Sequence, residues 1–168
     1  MKSIILTTDE VRQLPITGEI TIKRLVKPQP QSVPPNAYMD AYNKSDRWCF
    51  WLSSKEPAIL VAPKGKACMW ECPYGQPGDH LWVREAWHTD VSDLEYAKAK
   101  HEDVMSDSPI FYKADKVNEG AGCIWRLPTH MPRWASRYTV ENKGVEVKQV
   151  EGQWHWFVTL RPVKDGES

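Results

Sequence analysis

The chain carries no net charge: lysine plus arginine number 22 and aspartate plus glutamate number 22 across 168 residues. No overall field therefore draws the molecule to nucleic acid or to an anionic membrane, and any nucleic-acid site has to be a local patch. Long apolar runs are missing as well. The opening MKSIILTTDEV has too short an apolar stretch for a signal peptide, and no segment is long enough to span a bilayer. We expect a cytoplasmic protein with no membrane partner. Cysteine is scarce, at Cys49, Cys68, Cys72 and Cys123, and the one close pair, Cys68 and Cys72, is spaced one residue wider than a zinc knuckle on a strand-like pattern around Trp70. Reduced structural thiols follow from that spacing, with no metal and no cofactor. His88, His101 and His155 share no metal-binding spacing either. There is no internal repeat, and the length suits a single domain over 1–168.

Tryptophan and proline are what the chain has in excess, nine and thirteen residues. Tryptophans either fill a small β core or stack on bases at a surface. Several must be core on either reading, so their number alone does not choose.

Residues 3–6 read as a short strand, and Thr7 with Glu10 forms a capping box that opens a brief helix ended by Pro15. Gly18 turns the chain into a strand over 19–26. A proline-rich loop, 27–36, wraps the surface, because proline cannot occupy an interior strand. Further strands are expected at 48–52, 58–62, 67–71 and 81–87, with a turn at 63–65. A second capping box, Ser92 with Glu95, opens an exposed helix over 96–104. Strands follow at 110–114, 138–140 and 145–150, with turns at 142–144 and 151–152. In the last strand Trp154, Trp156, Val158 and Leu160 share one face. Many short strands with one or two short flanking helices point to a mainly β, α+β domain built as a twisted antiparallel barrel or half-barrel.

Two charges break the apolar parity. In 19–26 the residues Ile20, Ile22, Arg24 and Val26 share a face, and in 81–87 Leu81, Val83, Glu85 and Trp87 do. A buried carboxylate is costly unless paired or put to use. One reading makes Arg24 and Glu85 a structural ion pair tying two strands; the other makes Glu85 a general acid/base in a cleft. The stretch HMPRWASR, 130–137, falls between strands. There His130, Arg133, Trp134 and Arg137 form either a grip for a phosphate and a stacked base or a loop that plugs one barrel end, with Trp134 buried and the arginines capping carbonyls. Thr21 and Lys23 lie on the polar strand face beside Arg84 if their strands align, which would make a local basic cleft.

Four blocks carry a resemblance: the TTDEV opening, KPQP at 27–30, CPYGQPGD with LWVREAW, and HMPRWASR. Together they resemble the ASCH family of the PUA-like superfamily, in its phage and prophage branch. The resemblance implies a PUA-like antiparallel pseudo-barrel, and RNA, single-stranded or modified-base nucleic acid as partner, in a host cytoplasm if phage-encoded. It also implies the alternative of a small hydrolase, a ribonuclease or nucleobase amidohydrolase. The family signature Gly-x-Lys-x-x-Thr-x-Arg supplies a lysine and a threonine for that chemistry. Here Ile20 stands where the lysine would, with Lys23 three positions later on the opposite face, and the acidic helix of many relatives after Tyr138 is absent. Both departures favour binding over catalysis. The expected binding residues are Arg84, Trp87, His130, Arg133, Trp134 and Arg137, with Trp87 or Trp134 against a flipped base. If the chain is an enzyme, Lys23, Glu85 and Thr21 carry the chemistry. A third alternative is a phage accessory protein that binds a host protein through its tryptophans.

Overall fold

The computed structural model describes residues 1–27, 29, Ala37–Ala41, Arg47–Leu52, 70–89, 109–116 and 124–163. The expected strand at 58–62, the turn at 63–65, the helix at 96–104 with its Ser92 box, most of the proline-rich loop and the Cys68 and Cys123 thiols lie outside the described residues.

The first elements form for local reasons. Strand β1 (Lys2–Ile5) leads into helix α1 (Thr8–Thr17), whose capping box is present: the Thr7 hydroxyl accepts the Glu10 N–H and the Glu10 carboxylate accepts the Thr7 N–H. Pro15 sits inside the helix rather than ending it. Proline removes one N–H, but the last turn is held by the Thr17 hydroxyl donating to Gln13 O (3.0 Å) and by Gly18, at φ 69°, donating to Leu14 O (3.1 Å). Glycine takes that left-handed cap without the strain a Cβ would bring. Strand β2 (Ile20–Leu25) then alternates as expected: Ile20, Ile22 and Val26 are buried, while Thr21, Lys23 and Leu25 face outward.

Strands β3 (Ala37–Ala41), β4 (Arg47–Leu52) and β5 (Trp70–Glu71) make a separate antiparallel sheet; β3, directly after the proline-rich loop, was not anticipated from sequence. Strand β6 (His80–Arg84) keeps the predicted parity through Glu85 to Trp87, but the ladder breaks at Glu85 and Ala86. The chain resumes as β7 (Trp87–Thr89), paired with β8 (Ile110–Tyr112). The long hairpin of β9 (Thr139–Val150) and β10 (Gln153–Pro162) completes the main sheet, in the order β1-β6-β9-β10-β2.

The sheet is mixed rather than antiparallel throughout, because β1 runs parallel to β6 with Ile4 opposite Val83. Residues 142–144 are not a turn. They lie within β9 at a bulge, where Leu160 pairs with Asn142 and Thr159 with Gly144, leaving Lys143 as the extra residue. The turn at Glu151 and Gly152 is as expected, both at positive φ.

Burial gathers on one side of the main sheet. Ile4, Ile22, Leu81, Val83, Val140, Trp156, Val158 and Leu160 pack with Val11 and Leu14 of α1 into one core. The two edge strands of this sheet, β1 and β2, are linked by one side chain: Arg24 donates through Nη2 to Ile5 O (3.0 Å) and to Glu10 Oε2 (2.7 Å).

Candidate nucleic-acid interface

The Arg24–Glu85 pair expected from strand parity is not formed. Parity sets the face a side chain takes, not its nearest counter-charge along that face. Arg24 meets Glu10 of α1 with both terminal nitrogens (2.8 and 2.7 Å), and Glu85 meets Arg137 instead (Nε to Oε1 2.9 Å, Nη2 to Oε2 3.1 Å). Arg24 also raises the electrostatic stakes at the capping box. Partial burial pushes the Glu10 carboxyl up, but the Arg24 hydrogen bond, the Thr7 N–H and the Arg24 charge outweigh it and hold the carboxyl below the usual range.

Glu85 is 1% exposed. Burial pushes its carboxyl up, the hydrogen bonds and charge of Arg137 pull it back, and Asp115 adds to the rise. Arg137 also donates to Asp115 Oδ1 (2.7 Å), and its guanidinium lies 4.1 Å from the Tyr112 ring centre and 5.1 Å from that of Tyr138. Both of its charged arms are therefore occupied by carboxylates, which suits an anchor rather than a phosphate grip.

The segment 126–138 is latched onto β6 and β7 by several independent contacts. Pro128 and Pro132 each force the preceding residue into extended backbone, Leu127 at ψ 144° and Met131 at ψ 123°, and start the 3-10 turns Pro128–His130 and Arg133–Ala135. Met131 is thereby directed inward. It is 2% exposed, packs with Trp87 and Ala135, and its Sδ accepts the Glu85 N–H at 3.3 Å. Arg84 caps the first turn, donating through Nε to Pro128 O (3.0 Å) and through Nη2 to Thr129 O. Ser136 donates to Val83 O (2.7 Å), and Tyr112 to Ala135 O (2.8 Å). Part of HMPRWASR thus plugs the interior, and Trp134 packs against that same cluster.

What this latch leaves outside is a cationic aromatic patch. Trp82 points to the outer face of β6, half-buried, and two guanidinium groups lie over its ring: Arg84 at 5.4 Å and Arg133 at 5.8 Å. Arg133 is exposed and touches the Thr139 hydroxyl at 3.5 Å, and His130 is exposed on the adjoining turn. Among the described residues neither arginine meets a carboxylate, so two positive charges flank one indole in a chain of zero net charge. Trp82 was overlooked from sequence because its parity neighbours, Arg84 and Ala86, drew no aromatic pattern.

The other expected site residues are dispersed. Trp87 is fully buried with Arg126 over its ring at 5.3 Å, so it offers no face to a base. Thr21 hydrogen-bonds Thr159 across β10 (3.1 Å), and Lys23 stands opposite Phe157 on the outer face. Strands β9 and β10 lie between β2 and β6 within the sheet, and β1 lies between them across its joined edges, so Lys23 and Thr21 are not on a strand that adjoins Arg84. Lys23 faces away from the interior that holds Glu85, and the two are not brought together. A buried residue that sequence reasoning missed is Asn142, whose side chain donates to Tyr74 O (3.1 Å) and accepts the Gly144 N–H (3.1 Å) at the bulge. Among the described residues no cluster of histidine, cysteine, aspartate or glutamate is arranged to hold a metal, and no helix is long and apolar enough to cross a membrane.

No family model, curated protein or solved structure matches the chain.

Proposed function

We propose that the chain is an ASCH/PUA-like module of phage or prophage type that binds RNA or other single-stranded nucleic acid. The observation that carries this reading is the pair of guanidinium groups, from Arg84 and Arg133, over the half-buried indole of Trp82. An indole supplies a stacking face to any base, and cations beside it meet the phosphates on either side. Arg84 is fixed by two carbonyls, so its charge is presented without the cost of ordering a free side chain. His130 and Arg133 stand on a latched segment, as binding residues on loops over a rigid frame do.

The finer fold assignment rests on the strand, helix and glycine turn of the opening, on β1 lying beside the Gly78-Asp79 strand β6, and on Arg24 joining the sheet's two edges. A closed or nearly closed barrel of the PUA-like kind accounts for all three. The hydrolase alternative loses support from Glu85 being held by Arg137 and from Lys23 lying on the other face.

The test is a titration of a short single-stranded RNA at several salt concentrations, with wild type and Arg133→Gln. Affinity should fall steeply with salt, and the slope of log K against log salt should drop by about one in the variant. Wild-type protein that binds no oligonucleotide at low salt would overturn the reading and leave the protein-partner alternative in its place.

A further inference from the structure

We infer that the bound nucleic acid lies as an extended single strand along the outer face of the main sheet, held by two stacking rings: Trp82 at one end and Phe157 at the other. This inference rests on the nucleic-acid reading above and names the form of the ligand and its path.

Alternation puts the two rings on the same face. Trp82 pairs with Thr139, and along β10 the residues 154, 156, 158 and 160 are buried, so Phe157 points outward with Thr159 and Arg161. Phe157 has cations of its own. The Lys148 ammonium lies 5.5 Å from its ring centre and is paired with the carboxylate of Glu146, the residue opposite Phe157 on β9, so among the described residues the charge left over at this ring is that of exposed Lys23, opposite it on β2. Each ring is therefore an aromatic platform beside positive charge, the pairing that single-strand sites use.

The separation follows from the register. Thr139, opposite Trp82, accepts the Val163 N–H at 2.9 Å, and Phe157 lies six residues before Val163 on the neighbouring strand. At about 3.3 Å per residue the rings are about 20 Å apart along the sheet. Between them lie Arg161 and Lys143, which share the carboxylate of Glu141 (2.9 and 3.2 Å), so these three groups together carry one net positive charge. The lysine and arginine hold that carboxylate below its usual range, so it stays ionised and the balance does not change near neutral pH. Of the other groups on the path, the Thr21 and Thr159 hydroxyls and Gly144 are small and leave room for a backbone, and the Glu146 carboxylate is neutralised by Lys148. Cations at both ends and a net positive middle complement a chain of phosphates. Two isolated rings can take bases only from a strand whose bases are not already stacked in a duplex, which commits the site to single strands of about four nucleotides, the low end for small β domains.

The experiment uses the full chain with labelled oligothymidylates of increasing length and a blunt duplex. Wild-type affinity should rise from a dinucleotide to a run of about four or five, then level off, and the duplex should bind at least about tenfold more weakly. Phe157→Ala should lower affinity for the longer strands about tenfold and leave the dinucleotide unchanged. Phe157→Leu, which keeps apolar packing, should show the same loss, and melting curves identify any variant that has lost its fold. If Phe157→Leu binds long strands as wild type does, or the duplex binds equally well, the path is wrong. Should Trp82→Ala lose binding while Phe157→Leu does not, this inference fails and the nucleic-acid reading stands. If wild type binds no oligonucleotide at low salt, both fail together.

Discussion

Arg137 closes on both carboxylate oxygens of Glu85 with two hydrogen bonds, 2.9 and 3.1 Å, across 52 residues of chain. The pair fastens the segment that carries His130 and Arg133 to the end of β6, with the acid 1% exposed and the arginine side chain 25% exposed.

Removing either partner should therefore destabilise the fold. Arg137→Ala strands a buried carboxylate, for which about 3–5 kcal/mol is usual, and the low end applies because Arg137 reaches solvent. Chemical denaturation of Arg137→Ala beside Lys23→Ala checks this, with the Lys23 variant expected within about 0.5 kcal/mol of wild type. Equal midpoints for the two variants would show that the latch does not need the pair.

The Glu10–Arg24 contact should give an acid-sensitive term. The folded-state value of Glu10 lies below its ordinary 4.5, so the contact's contribution is complete above that pH and is lost as pH falls through the lowered value. Glu10→Gln should lower the denaturation midpoint near neutral pH, and the gap from wild type should close on acidification. A gap that stays constant down to about pH 3 would assign the loss to the helix cap rather than to the charge.

Gly75 and Gly144 make a matched pair. Gly75 sits at φ 72° with a Cβ position that falls on the Asp79 carboxylate, which accepts the Gln76 N–H at 2.9 Å; Gly144 has open space and no positive φ. Gly75→Ala should cost about 1–3 kcal/mol in backbone strain alone, whereas Gly144→Ala should be close to neutral. Thermal melts of the two variants decide it, and equal melting temperatures would contradict the strained-turn account.

Much of the frame was legible because alternation is a local property. The buried sets of β2, β6 and β10 follow from residues two apart, and the Thr7–Glu10 box from residues three apart. What stayed hidden was non-local. Parity places Arg24 and Glu85 inside, but their partners come from where it does not reach: Glu10 caps a helix and Arg137 lies in a segment with no period. Asn142 and Gly144 have turn chemistry, and a bulge inside a long strand uses the same chemistry. The outer patch was half legible: Arg84, His130 and Arg133 were expected at it, whereas Trp82 was not, and Trp87 proved to be core.

Trp82 as a stacking face between Arg84 and Arg133 is tested most directly by the affinity of Trp82→Leu and Trp82→Phe for a short single-stranded RNA at low salt. Trp82→Leu should lose about 1–3 kcal/mol, the usual cost of one stacked base. Trp82→Phe should retain most of the affinity, and both should melt near wild type and keep the wild-type salt slope. Binding of the folded Trp82→Leu protein at wild-type strength would contradict the claim.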